Sequence, residues 1–469
     1  MGKNKEISLL QALIPLVVMI TVMAVTIVVF EGAPHVPLII GTVTAALVAW
    51  NAGFQWKDIE ESMYKGIRLA LPAVIIIMLV GMIIGSWIGG GVVATMIYYG
   101  LQMITPSLFL VTICIICAIV ALSIGSSWST MGTIGVAGMG IGAAMGIPAA
   151  MVAGAVISGA YFGDKMSPLS ETTNLAAGLT ETNLFEHIKH MLYSTVPGLV
   201  IALIVYWFLG NNFGGGSVSQ GDISQTAAVM QENFLISPWL LLVPLAVIVL
   251  VARKVPAIPA LIIGIVLGVI CQVLVQGDTF ANAFSALQGG YVMETGNAMV
   301  DNLFTRGGLE SMMYTVSLTI VAMTYGGILE HTGILNAIVS QILKLTKSAK
   351  GLIPTTIVSS FFTNLTCSEQ YISIVVPSRM YSDVFKERNL HSKNLSRALE
   401  DGGTLTSVFV PWNTCGVFIF GTLGVSAFQY APYAIVNFAV PIISIVFATL
   451  GYSIAYLKTK PATAQQETG

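Results

Sequence analysis

Residues 163–174 read GDKMSPLSETTN, and they follow an apolar run, residues 147–162, with the character of a membrane-crossing helix. Two adjacent opposite charges, Asp164 and Lys165, and a helix breaker, Pro168, stand where that run would continue. In water this would be an ordinary loop. In lipid it carries more meaning, because proline lacks the backbone N–H that a continuous helix needs, and backbone groups freed inside a bilayer require other partners. Ser167, Ser170, Thr172, Thr173 and Asn174 can supply them, or the freed carbonyls can line a cavity. A charge at that depth costs ~2.5–3.5 kcal/mol on insertion scales and as a rule marks a functional site.

Composition places the stretch in lipid. Of 469 residues, 55% are hydrophobic and 9% are charged, against roughly 25% charged in soluble domains. The chain is an all-α polytopic membrane protein. Its first long apolar run, residues 10–30, exceeds a cleavable leader and is expected to be a retained helix. A net charge of −2 and the lack of a basic patch with aromatics exclude nucleic acid as a partner. The five cysteines lie in apolar surroundings and suit packing rather than a metal or redox role. No P-loop, nucleophile elbow or dinucleotide fingerprint sits in a strand–turn–helix context, so neither an ATP-driven pump, an enzyme nor a cofactor is indicated.

The pattern occurs twice. PHVPLIIGTVTAALVAW from Pro34 resembles PAIPALIIGIVLGVICQV from Pro256. SIGSSWSTMG from Ser123 pairs with FFTNLTCSEQ from Phe361. GDKMSPLSETTNLA from Gly163 pairs with EDGGTLTSVFVPWNTCG from Glu400. The offsets are 222 for Pro37 and Pro259 and 237 for Asp164 and Asp401, which calls for an insertion in the second copy near residues 289–310. Basic residues set orientation. The loop QWKDIEESMYKGIR, residues 55–68, is basic and its counterpart VQGDTFANAFSALQGG is not. Farther along, SRMYSDVFKERNLHSKNLSR, residues 378–397, is basic and its counterpart near residues 140–156 is not.

The copies are therefore expected to be inverted-topology repeats of about five transmembrane helices each, with re-entrant hairpins and interrupted helices. Residues 1–213 form the first, 214–234 an external Gly/Ser-rich linker, 235–458 the second and 459–469 a cytoplasmic tail, both termini being cytoplasmic. The threading lays residues 92–104 along the outer surface. It places the hairpin tips near Ser126–Thr130 and Asn364–Gln370, each beside the interruption of its own copy.

Tips and interruptions supply the candidate ligands. Asp164, Glu369 and Asp401 are the candidate ion- and proton-binding carboxylates. Ser126, Ser127, Thr130, Ser170, Glu171, Thr172, Thr173 and Asn174 join them from the first copy, and Asn364, Thr366, Ser368, Gln370, Asn413 and Thr414 from the second. Carboxylate, hydroxyl and amide oxygens suit a small hard cation, and Asp164, Asn174, Asp401 and Asn413 are the candidate Na+ ligands. Glu369 has no acidic counterpart in the first tip and is the candidate proton carrier. Lys165 is expected to pair with its neighbour Asp164 or to snorkel, Glu400 to be solvated at the cytoplasmic end, and no arginine to lie at mid-membrane.

By GSSWSTMGTIG, ISGAYFGDKMSPLSETTNLA, TNLTCSEQYIS and EDGGTLTSVFVPWNTCG the chain resembles the NhaC family of sodium/proton antiporters over nearly its whole length. The resemblance implies a bacterial cell-membrane antiporter with Na+ and H+ as its transported ions. It puts Asp164 and residues 170–174, with Glu369, Asp401, Asn413 and Thr414, at the site. Within the family the likeness points to exchange of malate plus two protons for sodium plus lactate. Plain Na+/H+ exchange and a carrier of another organic solute are the alternatives, and the oligomeric state is left open, a homodimer included.

Overall fold

A computed structural model describes residues 6–30, 32–103, 105–213, 228–253, 255–344 and 348–457. Most of the expected linker, the tail 459–469 and the N-terminal lysines Lys3 and Lys5 lie outside the described residues. Among the described residues the regular structure is helical, with two isolated bridges, Tyr291–Arg306 and Leu390–Tyr456. Among the described residues six helices are long and apolar enough to cross a membrane, and two bent pairs, residues 392–423 and 427–450, bring the number to eight. Leu10, Val17, Val43, Leu47, Phe208 and Ile442 are exposed on the outside of the bundle. An apolar exterior of this kind suits lipid rather than water.

The first half runs α1 (Leu9–Val28), α2 (His35–Asn51), α3 (Trp56–Gly89), α4 (Val92–Met103), α5 (Pro106–Ile124), α6 (residues 127–144, with a π turn at Met131–Gly135), α7 (Ala149–Met166), α8 (Glu171–Leu179) and α9 (Leu184–Asn211). The second half includes α10 (Ala257–Ile270), α11 (Met313–His331), α12 (Ile334–Lys344), α13 (Ala349–Cys367), α14 (Gln370–Glu387), α15 (Ser392–Leu399, running on through a π turn at Glu400–Thr404), α16 (Thr414–Leu423) and α17 (Ile435–Leu450).

From α5 onward the two halves repeat without a gap. The helix starts 349 − 106, 370 − 127, 392 − 149, 414 − 171 and 427 − 184 each give 243. This corrects the pairing of Asp164 with Asp401. At an offset of 243 Asp164 matches Ser407, and Asp401 matches Ser158. Charge was the wrong anchor for the alignment. The positions that recur are Pro168 and Pro411, because they end the helix.

Helix α3 runs antiparallel to α11, and α9 to α17. Gly66 of α3 abuts Met323 and Gly327 of α11, whereas Gly81 abuts Gly308 and Met312. Gly198 of α9 meets Val440 of α17, and farther along α9 the Tyr206 hydroxyl donates to the Tyr433 carbonyl at 2.6 Å. The α3–α11 contact is backbone on backbone. A Cβ at Gly66 would stand 2.1 Å from the Met323 carbonyl oxygen. Gly66→Leu is therefore expected to cost about 1–3 kcal/mol or more through overpacking, read as a lower unfolding midpoint in detergent. An unchanged midpoint would refute this close crossing.

One local expectation changes. Residues 55–68 are not a loop but the opening turns of α3, with Gln55 and Asp58 forming a capping box. Ile59, Ser62, Gly66 and Ala70 face inward at helical spacing while Lys57, Lys65 and Arg68 face out. Helix α4 packs one face into the bundle. Val92, Ala94, Thr95 and Ile97 are buried, because Gly140 and Gly100 leave room for Ile97 and Ile141 to interlock.

Candidate ion-binding site

The site grows from two tips and two breaks. Helix α5 ends on Gly125, left-handed at φ 74°, and extended Ser126 caps α6 by accepting from the Ser129 N–H at 3.2 Å. Helix α13 ends on Ser368 in the same left-handed region, φ 60°, and extended Glu369 caps α14. Each break carries a proline two residues after the helix ends or nears its end, then a polar cap. Ser170 accepts from the Thr173 N–H at 3.5 Å and Asn413 from the Cys415 N–H at 3.0 Å. Tip and break touch in both halves. A Cβ at Gly125 would lie 2.6 Å from the Leu169 carbonyl carbon, which explains the glycine. The Ser368 carbonyl accepts from the Thr414 N–H at 2.9 Å.

Asp164 does not itself interrupt α7, which continues to Met166. Its Oδ2 accepts from the Ser127 N–H at 2.9 Å and the Ser127 hydroxyl at 2.7 Å, and the Ser170 hydroxyl also faces it. Glu369 is 3% exposed, accepts from the Tyr371 N–H at 3.3 Å and has the Thr414 hydroxyl beside it. Tyr371 stands among Glu369, Asp164 and Glu171, and its hydroxyl donates to exposed Glu171 at 2.5 Å.

Asp401 lies on the π turn, nine residues before Val410 and well short of the break. The Lys165 ammonium is 2.7 Å from its Oδ1, with both side chains fully enclosed. Lys165 therefore pairs across the two halves rather than with its neighbour Asp164. Adjacent residues on a helix point about 100° apart, and Lys165 turns toward the π turn while Asp164 turns toward the tip. Ser194 of α9 donates to Asp401 at 3.2 Å, and the Arg397 Nε stands 4.0 Å from its Oδ2. Arg397 is also fully enclosed, its Nη1 donating to the Ser453 hydroxyl at 3.0 Å. Arg397 is thus enclosed where the sequence reading left it outside the bundle, and the expectation of a solvated Glu400 is corrected, since it is 0% exposed. Both errors have one source: the basic run 378–397 continues into the enclosed helix instead of ending at the surface.

The remaining candidates divide. Asn364 donates to the Gly403 carbonyl at 2.7 Å and to Thr406 at 3.1 Å, and Asn413 donates to the Asn364 side-chain oxygen Oδ1 at 3.0 Å. Gln370 accepts from the Cys415 thiol at 3.1 Å, and Thr172 meets Ser170 at 3.2 Å. Thr130, Thr173 and Thr366 bond backbone carbonyls, of Ser126 at 2.9 Å, Lys165 at 3.0 Å and Phe362 at 2.8 Å. The Ser368 hydroxyl is buried without a partner. Asn174 is exposed and donates to the Pro168 and Ser170 carbonyls at 2.8 and 2.7 Å, closing the break itself. Of the four candidate Na+ ligands, Asp164 and Asn174 share Ser170, while Asp401 and Asn413 have other partners. Sequence reasoning missed Arg397, Glu400 and Ser194. Arg397 had a usable signal, since it stands four residues before Asp401 on one helical face.

Electrostatics gives the cluster a sign. Leaving the histidines aside, the buried acids among the described residues are Asp164, Glu369, Glu400 and Asp401, and the buried bases are Lys165 and Arg397. Both bases lie against Asp401. Enclosed carboxylates without such partners need compensation by bound cations or protons.

Buried carboxylates gathered at paired tips and breaks of an apolar helical bundle define a membrane transport protein of the ion-handling class. The Na+/H+ antiporter family profile matches residues 159–452. The chain is 40% identical over 438 residues to the Na+/H+ antiporter NhaC of Alkalihalophilus pseudofirmus, covering 93% of this chain and 94% of the relative. It is 39% identical to the Na+/H+ antiporter NhaC of Bacillus subtilis, covering 88% and 91%. It is 38% identical to the malate-2H+/Na+-lactate antiporter of Bacillus subtilis, covering 90% of each. The chain belongs to the NhaC family of Na+/H+ antiporters, and is a multi-pass membrane transporter rather than an enzyme.

Proposed function

We propose that the chain exchanges Na+ for H+ at its buried carboxylates without requiring an organic substrate, in a bacterial cytoplasmic membrane with both termini inside. The observation that carries this reading is the charge imbalance: four buried carboxylates face two buried cations, both of which are engaged with Asp401. An uncompensated carboxylate in a low-dielectric interior takes a proton or a metal cation. Two ions that satisfy the same oxygens in turn are coupled by competition, which is the minimum an antiporter needs.

Residues 1–213 and 235–458 act in this reading as inverted repeats. The antiparallel course of α3 against α11 and of α9 against α17 supports it, as does the 243-residue recurrence. Rocking of one half against the other would expose the carboxylates to each side alternately. Asp164 at the first break and Glu369 at the second tip are carboxylates that take proton and cation in turn, Glu369 being the readier proton carrier.

A second reading, exchange of malate plus protons for Na+ plus lactate, rests on the relative of that name. A dicarboxylate would have to draw Lys165 or Arg397 away from Asp401, or travel with cations of its own. Proteoliposomes holding a trapped pH dye discriminate the two. An outward Na+ gradient alone is expected to acidify the lumen. Acidification only with malate outside and lactate inside would overturn plain exchange in favour of the organic-acid reading.

A further inference from the structure

We propose that Glu400 and Asp164 together form the sodium site of this transporter, with the hydroxyls of Ser170, Thr172 and Thr404 completing the oxygen shell. The inference deepens the exchange reading above and rests on it. Glu400 is 0% exposed, and neither of its carboxylate oxygens has a hydrogen-bond partner. The other three buried carboxylates are all engaged: Asp401 by Lys165 and Ser194, Asp164 by Ser127, and Glu369 by the Tyr371 N–H. An enclosed carboxylate with no hydrogen-bond donor in place is costly by several kcal/mol, so Glu400 points to a ligand of positive charge.

The surroundings say which kind. Asp164 and Lys165 are the charged neighbours that act on Glu400. Lys165 is committed elsewhere, its Nζ 2.7 Å from Asp401. The Thr404 and Thr172 hydroxyls stand beside Glu400, short of normal hydrogen-bond geometry, and the Thr404 oxygen is itself buried without a partner. Thr172 is linked at 3.2 Å to Ser170, which faces Asp164. Two carboxylates and three hydroxyls are thus neighbours through these links, with no thiol or imidazole among them. An all-oxygen shell of this kind selects a hard cation over a soft transition metal. Among the described residues no group of three or more His, Cys, Asp or Glu side chains is placed to hold a metal. A site with only two carboxylates suits a monovalent ion.

The location gives the site its leverage. Glu400 and Thr404 belong to the π turn of the second half, and π turns widen a helix and recur at functional positions. Asp164, Ser170 and Thr172 belong to the break of the first half. An ion held between them ties the two halves together, and a proton on Glu400 removes the charge that holds the ion.

Purified full-length protein, titrated with NaCl against a choline chloride background, tests this by two readouts: the Na+-dependent rise in unfolding temperature, and the proton release seen by a dye in weak buffer. Glu400→Gln is expected to weaken apparent Na+ affinity by at least about tenfold, or about 1.4 kcal/mol, and to abolish proton release. Thr404→Val, which keeps every charge, is expected to weaken affinity severalfold and decides the matter if the glutamine variant does not fold. Exposed Glu232→Gln serves as the control and should match wild type. Wild-type affinity and proton release in both Glu400→Gln and Thr404→Val would overturn the assignment. A wild-type protein indifferent to Na+ would instead sink the sodium-coupled reading itself.

Discussion

Asp401→Asn is expected to lower the unfolding free energy by about 3–5 kcal/mol, the range for removing one partner of a buried pair, and to abolish exchange. The asparagine keeps the shape of the side chain. It leaves the Lys165 ammonium, 2.7 Å away, and the Arg397 guanidinium, 4.0 Å away, enclosed together with no carboxylate between them. Lys165→Met should be milder in stability, because Arg397 and the Ser194 hydroxyl remain on Asp401. The double variant Lys165→Met/Asp401→Asn should recover part of the loss, with a coupling energy of about 0.5–3 kcal/mol in the thermodynamic cycle. The readout is the denaturation midpoint in detergent. Single-variant effects below about 0.5 kcal/mol, the usual scale for surface changes, would mean that the pair does not join the two halves as described.

Asp164→Asn should separate folding from transport. Both Ser127 donors converge on one oxygen, Oδ2, at 2.9 and 2.7 Å. An asparagine carbonyl oxygen can accept the same two bonds, so the tip stays docked on the break and the protein stays folded. The negative charge is lost. Attraction of a monovalent ion to a carboxylate about 4 Å away is worth about 4 kcal/mol at a protein-like dielectric, and 1.4 kcal/mol is a factor of ten in occupancy. Exchange should therefore fall by roughly a hundredfold to a thousandfold, with an unfolding midpoint near that of wild type. Glu369→Gln should behave alike, since the Tyr371 N–H still finds an acceptor at the helix cap. Wild-type turnover in the folded Glu369→Gln protein would remove that residue from the proton path.

Much of the fold was legible because it is written in residue types with strong backbone consequences. Pro168 and Pro411 mark the breaks, Ser170 and Asn413 restart the helices, and Gly125 marks the first tip. These can be read from single residues. The second tip was harder, because Ser368 takes the left-handed conformation that glycine takes in the first. The register of the two halves was misread where charge served as the anchor. Asp164 and Asp401 look alike in sequence, but they stand at the sixteenth and tenth positions of helices with equivalent starts.

Side-chain partners across the halves were the least legible. Lys165 beside Asp164 suggests a local pair, yet its partner is 236 positions away. Glu400, Asp401 and Arg397 adjoin a basic, surface-like stretch, and packing against α13, α14 and α9 encloses them. Burial of a charge is a tertiary property, and a run of mixed charge carries no mark of whether it ends in water or continues into the bundle.

Exchange by competition requires that Na+ and H+ take the same buried carboxylates in turn. The most direct test is the initial rate of radioactive sodium uptake into proteoliposomes, measured across a Na+ series at two values of pH one unit apart. Competition predicts that acidification raises the KM for Na+, by up to about tenfold where a single proton competes, while the rate at saturating Na+ is unchanged. A lower saturating rate at acid pH with the same KM would place the proton on a separate group and contradict the account.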